Sequence, residues 1–486
     1  MTIIEQRSTT RNQNFPAAIP AIAGIEMWER FSFYGMQAIL AYYLYDQATG
    51  LKMETTQATA LVGAYGSMLY LLTFAGGWIS DRVLGAEKTL ITGASMLIVG
   101  HLSMSLVPEF AGLFLGLIPI ALGSALLKTA AITILGAAFP PAAGKRDSAF
   151  EIFYFGINIG GLCGPLLTGY LSQKYGYHAG FAAAAILMAI GCILYPILRR
   201  PMLKQMTPDI RETISTPANP APPRVVALAV GGGAAVLLLA IVAVATGWLN
   251  PDTLALVLLV STVAVAIILF ATLLRSPLVT SIERTRVLTF IPLFLATTCF
   301  WVLQFQVYGV LAVYSDQRLN RLVGSFEIPA AWTQSLNPFY TLLLIVPVAA
   351  WMATRNMPAR PVLMGGGLIV AGSGMLVLLP FTGGSDNSTP FLALALCILL
   401  LSLGEIFIGP VGMAASATHA PRAFATRFSA LWFLTLAIGS SLAGSVSVFY
   451  SPEHEGAYIT GIAVIPMLFG AALAAWGLKK GSIIEA

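Results

Sequence analysis

The chain has 486 residues, of which 57% are hydrophobic and 10% charged, with a formal net charge of +5. A soluble domain would carry about a quarter charged residues, so that class is excluded; the recurrent apolar runs, each able to cross a hydrocarbon core of about 30 Å, describe a polytopic membrane protein. The positive surplus belongs to loop topology and implies no nucleic-acid partner.

The opening stretch, "MTIIEQRSTTRNQNF", is polar and lacks the basic-then-apolar layout of a cleaved signal peptide. Residues 1–16 are therefore expected to be a cytoplasmic tail, and the first span is expected to stay in the mature protein. Six spans follow at about 17–46, 57–80, 88–107, 110–138, 148–171 and 177–198, an N-terminal six-helix bundle over 17–198. A polar, Pro-rich cytoplasmic linker occupies 199–224. Two spans at about 225–248 and 253–274 read as an inserted transmembrane hairpin (225–274), whose only ionisable residue is Asp252 in the connecting turn. After a second cytoplasmic linker, 275–286, six more spans lie at about 287–317, 330–353, 361–380, 389–418, 423–449 and 457–478. They form a C-terminal bundle over 287–478, ahead of a tail at 479–486. The predicted class is all-α, with fourteen transmembrane helices arranged as 6 + 2 + 6.

The basic residues test this count. With a cytoplasmic N-terminus, 20 of the 26 Lys and Arg lie inside, 4 outside (Lys52, Lys174, Arg318, Arg321) and 2 within spans (Arg30, Lys128). That split follows the positive-inside rule, which a missed helix would scramble. Both termini are thus expected to be cytoplasmic. Cys163, Cys192, Cys299 and Cys397 all fall in apolar spans without CxxC or His-rich spacing, so neither disulfide nor metal is expected. His101, in the third span, is expected to be a hydrogen-bonded packing residue.

Between the second and third spans the chain reads "GGWISDRVLGAEK" (76–88). Its glycines allow a tight turn, and Asp81 can cap or pair at a helix end. The run resembles the Gly-x-x-x-Asp-Arg-x-x-Gly-x-x-Lys/Arg signature of the major facilitator superfamily, with Gly77, Asp81, Arg82, Gly85 and Lys88 in those places.

Inside the first span, "EMWERF" sets Glu26, Glu29 and Arg30 at i, i+3 and i+4, on nearly one helical face. An ionised side chain at that depth is costly unless it is paired or faces a wet cavity. Two carboxylates around one guanidinium leave one able to take up a proton, with an affinity set by where Arg30 is engaged. That is the chemistry of a proton relay; a static ion cluster tying helices together is the other reading.

The longer run "EMWERFSFYG" (26–35) resembles the ExxERFxYYG hallmark of the proton-dependent oligopeptide transporter (POT/PTR) family of the major facilitator superfamily, with Phe33 for the first Tyr. A second hallmark, FYxxINxGxL, is matched by "FYFGINIGGL" (153–162). Similarity extends through "LLKTAAITILG" around Lys128, "QSLNP" (334–338) and "GEIFIGPVG" (404–412). The resemblance implies a proton-coupled symporter that imports di- and tripeptides by alternating access, using the proton gradient and no cofactor. It implies that Glu26, Glu29, Arg30 and Lys128 couple protons, and that Lys128 faces the carboxylate end of the peptide. Asn158 and Asn337 would hydrogen-bond the peptide backbone, Glu405 would meet its amine, and Tyr34, Tyr70 and Trp432 would line the pocket. The implied partners are a small peptide, protons and the lipid bilayer. A monomer in a bacterial cytoplasmic membrane is the expected working form.

Charge alone points the same way: Arg30 and Lys128 are cations in the first half, Glu405 an anion in the second, and a short zwitterion would bridge such a field. Two departures stand out. Gln37 replaces the usual Arg one turn after "FYG", and Gln304 and Phe305 occupy the acidic region of "FWVLQFQVYG" (300–309). Losing both charges together avoids stranding one of them buried. Gln37 is then expected to pack against Gln304 and Phe305 as a neutral outer gate beside the substrate. The alternative function is a same-fold transporter of another solute, such as a modified peptide, a peptide-like drug or an anion. An enzyme lacks HExxH, GxSxG and metal-ligand spacing here, and a sensor would need a soluble output domain.

Overall fold

The computed structural model describes residues 15–139, 145–248, 250–355 and 357–484. The expected N-terminal tail lies outside the described residues as far as residue 14, Arg7 and Arg11 included, as do the last two residues of the C-terminal tail. Apolar runs become helices because lipid offers backbone groups no hydrogen-bond partner. Among the described residues, 13 helices are long and apolar enough to cross a membrane. Ala18–Tyr45, 28 residues long with Glu26, Glu29 and Arg30 inside it, is a further helix of membrane-spanning length. The packing divides the chain into two compact units, Met1–Ile39 with Leu72–Asn250 and Leu40–Leu71 with Pro251–Ala486.

The first unit holds most of α1 (Ala18–Tyr45), the end of α2 (Thr55–Ile79), α3 (Ala86–Leu106), α4 (Glu109–Ala138), α5 (Arg146–Tyr175), α6 (Tyr177–Gln205), α7 (Pro208–Ser215) and α8 (Pro223–Ala245). α3 packs against α4 and α6, and α5 against α6. α2 runs into a π turn, Ser80–Leu84, that ends at Gly85 with φ +80°. A Cβ there would also lie 2.8 Å from the Ser215 backbone, so glycine serves both the turn and the close approach.

That approach belongs to the 199–224 linker, much of which is helical. α6 continues to Gln205, and α7 packs on α3 and α4 with Ile214 fully buried. Beyond α7, the Asn219 N–H donates to the Asp81 carbonyl and the Ala221 N–H to the Arg82 carbonyl, each at 2.9 Å. These bonds supply partners for helix-end carbonyls that the helix itself leaves bare. Arg199 grips Glu87 with two guanidinium nitrogens, Nη2 lying 2.9 Å from Oε2. α8 is apolar and exposed along its length, as Leu228, Val230, Val236 and Leu239 illustrate.

The second unit contains residues 40–71 and the helices α9 (Pro251–Arg275), α10 (Ser281–Phe305), α11 (Val310–Gln317), α12 (Leu336–Ala353), α13 (Arg360–Leu376), α14 (Phe391–Thr418), α15 (Ala425–Val446) and α16 (Glu455–Ile484). α9 packs against α10 and α15. α10 opens with a capping box in which Thr280 and Glu283 satisfy each other's backbone N–H.

The span expected at 287–317 is interrupted midway. α10 stops at Phe305, Gln306–Gly309 close tight i→i+3 bonds, and α11 restarts at Val310. Gly309, at φ −106° and ψ −104°, leaves the helical region. The Gln306 side chain anchors the break: its amide donates to the Val302 carbonyl (3.2 Å), and its oxygen accepts from Tyr458 OH (2.8 Å). Two short strand pairs accompany the helices. Leu319–Asn320 pairs in parallel with Thr389–Pro390, and Leu322–Val323 pairs antiparallel with Phe326–Glu327. Arg318, expected in an open loop, is buried, paired with Glu455 at 3.2 Å and donating to the Phe381 and Ser385 carbonyls at 2.9 Å. Residues 40–71 are tied in by Tyr45 OH to Asp316 (2.7 Å), Thr59 to Ser447 (2.8 Å) and Ser440 Oγ to the Gly63 carbonyl (2.9 Å).

Candidate functional site

The two long motifs are one interface. Gly160 and Gly164 of α5 lie against the backbone of α1: a Cβ on Gly160 would come 2.6 Å from the Met27 carbonyl oxygen, and one on Gly164 would come 2.9 Å from Gly35 N. Thr168 Oγ1 adds a 2.7 Å bond to the Gly35 carbonyl. Small residues let membrane helices approach this closely. Gly160 of "FYFGINIGGL" and the two turns that follow it thus pack directly on "EMWERFSFYG".

The charged face of α1 is sealed: Glu26 and Glu29 are 0% exposed and Arg30 is 1% exposed. Arg30 engages Glu29 side-on through Nε and through Nη2, the latter 2.8 Å from Oε1. Ser124 of α4 completes a ring: Arg30 Nη2 donates to Ser124 Oγ (2.8 Å), and Ser124 Oγ donates to Glu29 Oε1 (2.6 Å). Glu26 is left outside this ring. Its Oε1 is 3.4 Å from Arg30 Nε, and neither of its oxygens has a hydrogen-bond partner among the described residues. Lys128, one turn beyond Ser124 on α4, acts electrostatically on Arg30, Glu26 and Glu29. The Arg30 guanidinium also lies 5.8 Å from the Tyr34 ring centroid, which places Tyr34 at the same cluster. Asn158 of α5 is buried, and its amide donates to its own helix at the Tyr154 carbonyl (3.0 Å). Gln37 is buried in this first unit.

The second unit gathers the other predicted residues into two groups. Asn337 Nδ2 donates to Glu405 Oε2 (3.0 Å) and to Ser402 Oγ (2.9 Å), joining α12 to α14 through a carboxylate. Phe305 and Trp432 share an apolar cluster with Val302 and Leu436, against which Tyr70 packs. The Tyr70 and Phe305 rings meet edge-on with centroids 6.0 Å apart. Gln304 is buried beside them in sequence, its Oε1 without a partner.

Sequence reasoning missed Ser124 and Ser402. Both were findable by spacing, since Ser124 precedes Lys128 by four residues and Ser402 precedes Glu405 by three. His101 corrects an expectation: it is fully buried, but neither ring nitrogen has a hydrogen-bond partner.

The sequence profile of the POT family matches residues 87–460. An uncharacterized Bacillus subtilis (strain 168) transporter, YclF, is 33% identical over 457 residues, covering 92% of this chain and 91% of its own. A di-/tripeptide transporter of Lactococcus lactis subsp. cremoris is 32% identical over 476 residues, or 94% of each chain. The crystal structure of a peptide transporter POT in complex with sulfate is similar with a TM-score of 0.91 and 31% identity, over 100% of both chains. The profile takes in most of the chain and the relatives nearly all of it, and the first-helix and fifth-helix motifs meet in one interface: the chain belongs to the POT family.

Proposed function

We propose that this multi-pass membrane protein is a proton-coupled symporter that moves di- and tripeptides by alternating access. The observation that carries the reading is the sealed cluster on α1, where one of two carboxylates is locked to Arg30 and the other, Glu26, has no hydrogen-bond partner. A buried carboxylate in that situation is suited to exchange a proton. Lys128 takes the carboxylate end of the peptide and Glu405 its amine. Asn158 and Asn337 hold the backbone, and Tyr34, Tyr70 and Trp432 shape the pocket. Asn337 already holds Glu405, so an arriving ammonium competes with an amide donor for that carboxylate. The chain works as a monomer in a bacterial cytoplasmic membrane with both termini inside. Gln37 in the first unit and Gln304 and Phe305 in the second act in gating as neutral side chains, so their part in it does not depend on ionisation. Their neutrality also favours the second reading, a proton-coupled carrier of a modified peptide, a peptide-like drug or an anion.

Uptake of a labelled dipeptide into proteoliposomes, with and without an inward proton gradient, tests the proposal. Accumulation only with the gradient is expected. Equal uptake in both cases refutes coupling, and failure of di- and tripeptides to compete with an accumulated non-peptide solute favours the second reading. In the same assay Glu405→Ala is expected to weaken peptides with a free amine by roughly 10- to 100-fold, the worth of one charge-assisted hydrogen bond. N-blocked peptides should lose far less. Equal losses would make Glu405 a structural residue.

A further inference from the structure

Helical geometry alone would pair Arg30 with Glu26. Residues i and i+4 are neighbours on a helix surface, whereas residues i and i+1 do not face each other. The structure shows the reverse pairing. Arg30 gives Glu29, its immediate neighbour, a two-point grip, and holds Glu26 only at 3.4 Å without a hydrogen bond. Something outside α1 must tip this balance, and Ser124 of α4, itself 0% exposed, is bonded to both partners.

The ring around Ser124 has a fixed polarity. A guanidinium only donates and an ionised carboxylate only accepts. The serine hydroxyl must therefore accept from Arg30 and donate to Glu29, as the 2.8 Å and 2.6 Å contacts describe. A proton on Glu29 Oε1 would meet two hydrogens already aimed at that atom, those of Arg30 Nη2 and Ser124 Oγ. The ring thus fits Glu29 in its ionised form and leaves the other carboxylate of the pair to change state. We propose that Ser124 is a positioning residue for proton coupling: by tying Arg30 to Glu29 it frees Glu26 to be the carboxylate that gains and loses a proton. The proposal rests on the symport reading for its purpose but not for its test. The charged groups acting on Glu26 are Arg30 and Glu29 on its own helix and Lys128 on α4. α5, which also packs on α1, presents Gly156 to Ala23 and Met27 and Gly160 to Met27, Phe31 and Arg30 Cβ.

Without the hydroxyl, Arg30 is released toward its natural i+4 partner. A carboxylate that gains a guanidinium gives up its proton more readily, by on the order of one pH unit or more. The experiment follows the protonated-carboxyl infrared band of the purified full-length chain through a pH titration, with Glu26→Gln to assign the band. Ser124→Ala is expected to move the Glu26 midpoint toward acid by roughly one unit, and Ser124→Thr, which keeps the hydroxyl, to move it back. An unchanged midpoint in Ser124→Ala overturns the proposal, as does a wild-type band of which no component is lost in Glu26→Gln. The readout needs no transport. If the wild-type chain fails to accumulate peptide but the midpoint still shifts, the symport reading falls and the role of Ser124 stands; if transport is proton-driven and the midpoint does not move, the reverse holds.

Discussion

Glu26→Gln is expected to fold normally, reach the membrane and exchange substrate in counterflow, yet lose gradient-driven accumulation. The change is nearly isosteric, and the carboxylate it removes has no hydrogen bond to lose and only the longer 3.4 Å ion pair to Arg30, which keeps Glu29, so the cost in stability is small. What disappears is the group able to exchange a proton. Glu29→Gln is expected to behave differently, although it lies only three residues away on the same face. It breaks the buried two-point pair with Arg30 and the bond from Ser124. Removing one partner of such a pair costs up to about 3–5 kcal/mol when the remaining charge is left alone, and less here because Glu26 stays 3.4 Å from Arg30 Nε. Glu29→Gln should therefore lower thermal stability and impair counterflow as well as uptake. Melting in detergent, read alongside both transport modes, separates the two variants. Full proton-driven accumulation by Glu26→Gln would remove the cluster from the coupling mechanism. Equal stability losses in both variants would mean that the pairing described for Arg30 is not the one that holds the helix.

Gly160→Val should have the second large effect, on folding itself. A Cβ at that position would stand 2.6 Å from the Met27 carbonyl oxygen, 2.8 Å from Phe31 N and 2.9 Å from Arg30 Cβ. The first two obstacles are backbone, which cannot step aside as a flexible side chain can. Overpacking a tight site costs about 1–3 kcal/mol, and more where backbone must move. Pushing α1 away would also displace Arg30 from Ser124. Little folded protein is expected from Gly160→Val, and a lowered melting temperature from the milder Gly160→Ala. Gly232→Val in α8, where an added Cβ meets nothing within 4 Å, serves as the control. Wild-type melting in Gly160→Val would show that the close helix contact is dispensable.

Some of this was legible before any fold was known. The apolar runs report their helices directly, since a span must be long enough to cross the hydrocarbon and lipid cannot satisfy an irregular backbone. The facing of Glu26, Glu29 and Arg30 follows from 3.6 residues per turn. The break at Gln306–Gly309 was not legible, because the Gln306 side chain that anchors it accepts from Tyr458, far along the chain. Nor could the linker's polar sequence disclose that its backbone would cap the carbonyls of Asp81 and Arg82. The meeting of Asn337 with Glu405 depends on which helices pack side by side. Arg30 shows the division most sharply: its own helix places three charges on one face, but a serine from α4 is bonded to both the guanidinium and the carboxylate it takes. Local periodicity sets where a side chain points, and a hydrogen-bond partner from another helix settles a balance between two nearly equal local choices.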